Sequence, residues 1–138
     1  MYHTQMEAAK KGIITEEMKI VAKKEYRTEE EIREWVARGQ VAICANKHHK
    51  CLEPNGVGSM LRTKINVNLG VSRDCKDYDI EMKKVMAAVD MGAEAIMDLS
   101  SHGNTQPFRK KLTSECPAMI GTVPVYDSVI HYQRDLAL

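Results

Sequence analysis

The chain reads as α/β: a helical N-terminal region followed by the first β/α units of an incomplete (β/α)8 barrel. Three observations predict this. Apolar residues recur at helical spacing behind cap residues over the first forty positions. The period switches to two at Leu61. From there apolar strands alternate with amphipathic helices, which implies parallel pairing with right-handed crossovers. On this pattern residues 1–59 form an N-terminal helical region with a short strand and a loop, and residues 60–138 supply three strands and two helices of a truncated barrel. Three β/α steps do not close a barrel, because an eight-stranded one takes about 250 residues. A small open sheet and the opening of a longer barrel are the choices. The second is favoured, since it does not leave a parallel edge bare.

Each element has its own signals. Thr4 to Glu7 is a capping box that opens a first helix, and Gly12 is its stop. Thr15 can cap a second helix, with Met18, Val21 and Ala22 on one face. Thr28 to Glu31 is another capping box; it leads into Ile32, Trp35 and Val36, and Gly39 supplies the left-handed end. Gln40 to Ala45 is a short apolar strand. Asn46 to Ser59, with Pro54, Asn55, Gly56 and Gly58, reads as a long loop. Leu61 to Gly70 alternates as a strand, Met82, Val85, Met86 and Val89 mark a helix ended by Gly92, and Ala93 to Leu99 is a buried parallel strand. Thr105 can cap a helix containing Phe108 and Leu112, which Pro117 terminates. Ala118 to Val125 is a third strand, with Pro124 confined to its end or to an edge.

Composition narrows the function. Twenty basic against nineteen acidic residues, with 5% aromatics and no polybasic block, argue against nucleic acid. No run approaches the length of a membrane span, and Met1 to Lys11 lacks the apolar run of a secretory signal, so a cytoplasmic protein is expected. Cys44, Cys51, Cys75 and Cys116 form no C-x-x-C pair and are expected to be free thiols. His48, His49 and His102 read as surface residues in loops, because adjacent histidines lack the spacing that presents two imidazoles to one metal. No Walker motif, dinucleotide fingerprint or nucleophile elbow occurs.

Barrel enzymes gather their chemistry at the C-terminal ends of the strands. There the chain offers Asn66 and Asn68, then Met97, Asp98 and Ser100, then Tyr126 and Asp127. The paired amides either meet a polar substrate or bond neighbouring backbone. Asp98 either holds a substrate hydroxyl or caps the next turn, and Tyr126 either donates a hydrogen bond or packs. Arg62 and Lys64 are a weak phosphate signal.

Four stretches, Thr4–Thr15, Leu61–Gly70, Gly92–Ser100 and Gly121–Tyr126, resemble in the same order the phosphomethylpyrimidine synthase family and its relatives, the anaerobic 5-hydroxybenzimidazole synthases. The resemblance implies a radical-SAM lyase with a helical region, a (β/α)8 barrel and a C-terminal cluster segment. It implies a [4Fe–4S] cluster and S-adenosylmethionine as cofactors, a zinc-type metal site late in the barrel, 5-aminoimidazole ribotide as substrate and a homodimer at full length. Carried over by position, Asn68 and Tyr126 are expected to hydrogen-bond the ribotide and Met97 to offer it a polarizable contact. The segments Ser101–Arg109 and Tyr126–Asp135 resemble the benzimidazole branch, which makes the lower ligand of cobamides; the pyrimidine product of thiamine biosynthesis is the alternative. The family's C-x-x-C-x-x-x-x-C run and its metal-binding histidines have no counterpart here, so the 138 residues are expected to be inactive alone. Three readings remain open: a fragment needing its C-terminal half, a split subunit, and a non-catalytic ribotide-binding module. The first is favoured.

Overall fold

A computed structural model describes residues 2–132. Residues 133–138 of the expected 60–138 region, and with them the end of the Tyr126–Asp135 stretch, lie outside the described residues. The chain divides into two compact units: one holds the chain up to Lys47 together with Glu53–Lys64, the other His48–Leu52 and the chain from Ile65 onward.

The N-terminal unit contains α1 (Gln5–Lys10), α2 (Glu16–Glu25), α3 (Glu29–Ala37), β1 (Val41–Cys44) and β2 (Asn55–Gly58). Its three helices start where expected. Thr4 Oγ1 accepts from Glu7 N at 3.1 Å, Thr15 Oγ1 from Met18 N at 3.2 Å and Thr28 Oγ1 from Glu31 N at 3.2 Å. Only Thr28 closes a full capping box, its own N–H donating to the Glu31 carboxylate at 2.9 Å. In α1 the box is half-formed, because the Glu7 carboxylate takes the N–H of His3 instead. The core is apolar: Ala8, Ala9, Met18, Val21, Ile32, Val36 and Val41 are buried together, with Trp35 and Leu61 against them.

The expected loop over 46–59 contains a strand. β2 pairs antiparallel with β1, Val41 opposite Gly58 and Cys44 opposite Asn55. Its glycines were the loop signal, yet Gly58 is small for another reason: a Cβ there would collide with the Gln40 carbonyl and the Val41 side chain. The basic pair Arg62 and Lys64 is not a phosphate site. The Lys64 side chain is 7% exposed and ion-paired to the buried Glu25, Arg62 lies 3.7 Å from the same carboxylate, and the Arg62 N–H donates to it at 2.8 Å. Burial pushes the Glu25 carboxyl upward, but Lys64, the Arg62 N–H and the Arg62 charge together hold it below the ordinary range.

The second unit carries β3 (Asn66–Leu69), α4 (Tyr78–Asp90), β4 (Ala95–Asp98), α5 (Gln106–Glu115), β5 (Met119–Thr122) and α6 (Pro124–Tyr132). The strands form a parallel sheet in the order β3-β4-β5, in agreement with the alternating pattern. The expected ten-residue strand shrinks to Asn66–Leu69, since Arg62 and Lys64 are committed to Glu25. The expected strand to Val125 stops at Thr122, and Pro124 opens a helix, where a missing N–H is no loss. Met82, Val85, Ile96, Phe108, Leu112 and Cys116 form the core between helices and sheet, with Val67, Leu69 and Ile120 packed on it. None of the described helices is long and apolar enough to cross a membrane.

Candidate functional site

The sheet has two chemically distinct faces because strand side chains alternate. Val67, Leu69, Ile96 and Ile120 face α4 and α5. Asn66 and Asn68, Ala95 and Met97, and Met119 and Gly121 point the other way. In the parallel register Asn68, Met97 and Gly121 form one row across the three strands. Two of the three expected substrate contacts therefore stand side by side. Gly121 permits this: a Cβ there would come within 2.7 Å of Met97 Cε and 2.8 Å of its sulfur, so the thioether occupies the space a side chain would fill. Asn66 Nδ2 donates to Asn68 Oδ1 at 3.1 Å, which fixes the orientation of the Asn68 amide while both residues stay exposed.

Tyr126, the third expected contact, is not at a strand end. It sits in the first turn of α6, four residues past the end of β5, and is 39% exposed. Its backbone N–H donates to Val123 O at 3.1 Å, so the turn that begins at Pro124 sets where the phenol starts.

On the helix side a continuous polar belt runs along the C-terminal ends of the strands. Glu81, fully buried in α4, accepts from Gly70 N at 3.0 Å. Val71 N donates to Ser100 Oγ at 3.1 Å, and Ser100 donates from its hydroxyl (2.5 Å) and its N–H (3.0 Å) to Asp98 Oδ1. Asp98 Oδ2 accepts from Arg109 Nε at 3.0 Å. Arg109 Nη1 donates to Asp127 Oδ2, and Thr105 Oγ1 donates to Asp127 Oδ1 at 2.6 Å. Gly70 is required where the belt crosses from β3 to β4. At φ 141° its backbone passes so close to β4 that a Cβ would lie 2.5 Å from Ser100 N and 2.8 Å from Leu99 C.

The belt answers two expectations. Asp98 follows the capping alternative, since it bonds the N–H of the next turn, and it is also fully buried against a guanidinium. Thr105 stands at the N-cap position of α5 without making a cap bond; its hydroxyl goes to Asp127 instead. The Arg109 guanidinium, with Thr105 adding to it, holds the Asp127 carboxyl below the ordinary range in spite of burial. Burial pushes the Tyr78 phenol up, and the Asp98 charge adds to it; its hydroxyl donates to Asn104 O at 2.9 Å and its ring lies 5.2 Å from Phe108. Beside the belt an open cleft of about 670 Å³ is bordered by Thr105, Gln106, Arg109, Asp127, Ile130 and His131.

Arg109 and Glu81 escaped the sequence reading as site-forming residues. Arg109 meets Asp127 across 18 positions and Glu81 meets Gly70 across 11, and no local spacing encodes either pair. The available signal was a charge at helical spacing from apolar residues: Glu81 lies four positions before Val85, and Arg109 three before Leu112.

The four cysteines are free thiols. Cys44 lies in β1, and Cys75 is exposed in a loop. Cys51 Sγ approaches the Cys116 carbonyl at 3.2 Å. Burial pushes the Cys44 and Cys116 thiols up, away from the thiolate a metal needs. His49 is a correction: it is buried, with Nε2 2.6 Å from the same Cys116 carbonyl. The helix end explains it, because the last carbonyls of α5 have no intrahelical donors and the 48–52 segment supplies them. Among the described residues no group of three His, Cys, Asp or Glu side chains could hold a metal ion.

Residues 4–137 match the family described as Radical SAM ThiC. Among curated proteins, the chain is 61% identical over 135 residues to a phosphomethylpyrimidine synthase of Alkaliphilus oremlandii. It is 59% identical over the same length to one of Clostridium botulinum. Both alignments take in 98% of this chain, which spans 31% of the length of these relatives.

Proposed function

The chain belongs to the radical SAM ThiC family, and on that premise we propose that it is the N-terminal part of a phosphomethylpyrimidine synthase of thiamine biosynthesis. Its own task in that enzyme is to hold 5-aminoimidazole ribotide. The observation that carries this reading is the 61% identity to a relative bearing that name, sustained over 98% of the chain. The benzimidazole product expected from the Ser101–Arg109 stretch has no comparable support. Part of that stretch serves the fold: Thr105 and Arg109 belong to the polar belt.

On this reading the row Asn68–Met97–Gly121 is one wall of the ribotide site, at the C-terminal ends of the first strands of a (β/α)8 barrel. The Asn68 amide, oriented by Asn66, hydrogen-bonds a polar edge of the ligand. Met97, laid over Gly121, supplies a deformable apolar surface for the imidazole. The Tyr126 phenol donates from the first turn of α6. Binding of this kind lowers the barrier by fixing the reactant's orientation before any bond changes.

Family membership implies a [4Fe–4S] cluster and S-adenosylmethionine in the full-length protein, which when bound would supply radical chemistry. The four cysteines here do not fit a cluster, since none forms a C-x-x-C pair in the sequence and burial pushes the Cys44 and Cys116 thiols up, away from the thiolate form. The cluster ligands therefore belong to other parts of the protein. The test is to incubate the natural gene product, under anaerobic reducing conditions, with S-adenosylmethionine and 5-aminoimidazole ribotide. The pyrimidine phosphate is the expected product by mass spectrometry. Release of 5-hydroxybenzimidazole would return the assignment to the other branch.

A further inference from the structure

Tyr126 and Met97 are carried by different elements, α6 and β4. A link between those elements lies on the helix side of the sheet. Met97 precedes Asp98, Tyr126 precedes Asp127, and the two carboxylates are bridged by one guanidinium. We propose that Arg109, by pairing with Asp98 and Asp127 at once, sets the spacing between Met97 and Tyr126 and is thereby a positioning residue for the ribotide. This rests on the functional reading above.

Three features of the geometry point the same way. The contacts use both branches of the fork, Nε to Asp98 at 3.0 Å and Nη1 to Asp127, so the guanidinium plane fixes distance and angle together. Each carboxylate has a second anchor on its own side of the bridge: Ser100 holds Asp98 by N–H and hydroxyl, and Thr105 holds Asp127 at 2.6 Å. Arg109 is also an inefficient choice for packing alone. Its Nη2 is buried with no hydrogen-bond partner among the described residues. An apolar side chain would spare that desolvation, so the bridge is retained for what it holds in place.

α6 bears on the case, because among the described residues it is held by polar bonds rather than by burial. No described residue of α6 is buried, whereas Ile96 in β4 and Leu112 in α5 are fully so. The helix that carries Tyr126 is thus tied to the rest of its unit by the Asp127 bonds to Arg109 and Thr105. Loosening those bonds lets the phenol wander while Asn68, on β3, stays where it is.

A double-mutant cycle in the natural gene product tests this, with ribotide affinity measured by calorimetry and melting temperature followed in parallel. Arg109→Lys and Asp127→Asn are each expected to weaken ribotide binding about tenfold, the scale of loss from a displaced contact. In a Tyr126→Phe background the same substitutions are expected to cost less than about twofold, because the contact they position is already gone. Asn68→Ala is expected to cost the same in either background. Additive losses, or losses equally large in the Tyr126→Phe protein, overturn the proposal. If the parent protein shows no saturable ribotide binding, the functional reading falls instead. The clamp is then decided without ligand, by spectra of 13C-labelled tyrosine in which Tyr126→Phe assigns the signal. A Tyr126 resonance shifted or broadened by Asp127→Asn keeps the clamp, and an unmoved one removes it.

Discussion

The two units bury different things. In the N-terminal unit helix packs on helix through alanine, methionine, valine and isoleucine, and the charged pairs of its helices, such as Lys19–Glu16 and Arg38–Glu34, lie outside. Its main exception is Glu25 with Lys64. The sheet unit has an apolar core too, but it also buries Glu81, Asp98, Ser100 and Thr105 along one end of its strands. Buried polar groups are poor stabilisers compared with well-packed apolar ones. Concentrating them at the strand ends makes sense if that rim must be held in one geometry. On the proposed reading, the N-terminal unit is packed for stability and the sheet unit to hold Asn68, Met97 and Tyr126 in place for a ligand.

The largest expected effect breaks this contrast directly. Asp98→Ala should cost about 3–5 kcal/mol by denaturant unfolding, because it strands a half-buried guanidinium and two Ser100 donors. Replacing both partners with apolar residues, Asp98→Leu with Arg109→Met, should recover most of that stability while leaving ribotide binding weak. Recovery of binding together with stability would show that the pair serves packing only. In the other unit, Ile32→Ala is expected to cost about 2–5 kcal/mol through the cavity it opens. It should leave the ribotide affinity of the remaining folded protein unchanged.

Acid should separate the units by which carboxylate each depends on. Glu25 and Asp127 are both held below their ordinary values, 4.5 and 3.8. A depressed carboxyl contributes stability that is complete above its unfolded value and is lost as pH falls through its folded one. Denaturant midpoints should therefore drop below pH 4.5 from Glu25 and below pH 3.8 from Asp127. Glu25→Gln and Asp127→Asn should each flatten the part of that curve governed by the carboxyl they remove. If neither variant changes the slope, these ion pairs do not govern acid stability.

How much of this was legible in the sequence divides along the same line. Helix starts were readable because a cap acts over three residues: Thr4, Thr15 and Thr28 are each recognisable from the residues one turn downstream. The parallel sheet was readable because alternating strands and helices permit little else. β2 was hidden, since Gly56 and Gly58 carry the composition of a turn while serving as close-packed strand. α6 was hidden because Pro124 both ends strands and starts helices, and the sequence does not say which. At the site, the row of Asn68 and Met97 follows from strand alternation once the register is known. The belt beneath it does not, because Arg109, Asp127, Glu81 and Gly70 meet only through the tertiary fold. His49 was misjudged for the same reason: a loop histidine becomes a helix-end donor only when the helix is in place.

The smallest expected effect uses one residue type at one helix position in both units. Thr28 and Thr105 each stand at an N-cap, but Thr28 bonds its own helix and Thr105 bonds Asp127 of the next one. Thr28→Ala should therefore lower stability by about 1 kcal/mol, with Thr28→Ser restoring it, and leave ribotide affinity alone. Thr105→Val keeps the shape and removes no cap bond, so its stability loss should be similar or smaller. It should nonetheless weaken ribotide binding about threefold, less than the Arg109 variants because the guanidinium still holds Asp127. Should both threonines affect stability alone, the N-cap of α5 would be no different in kind from that of α3, and the distinction between a unit built for stability and one built for presentation would lose its most local support.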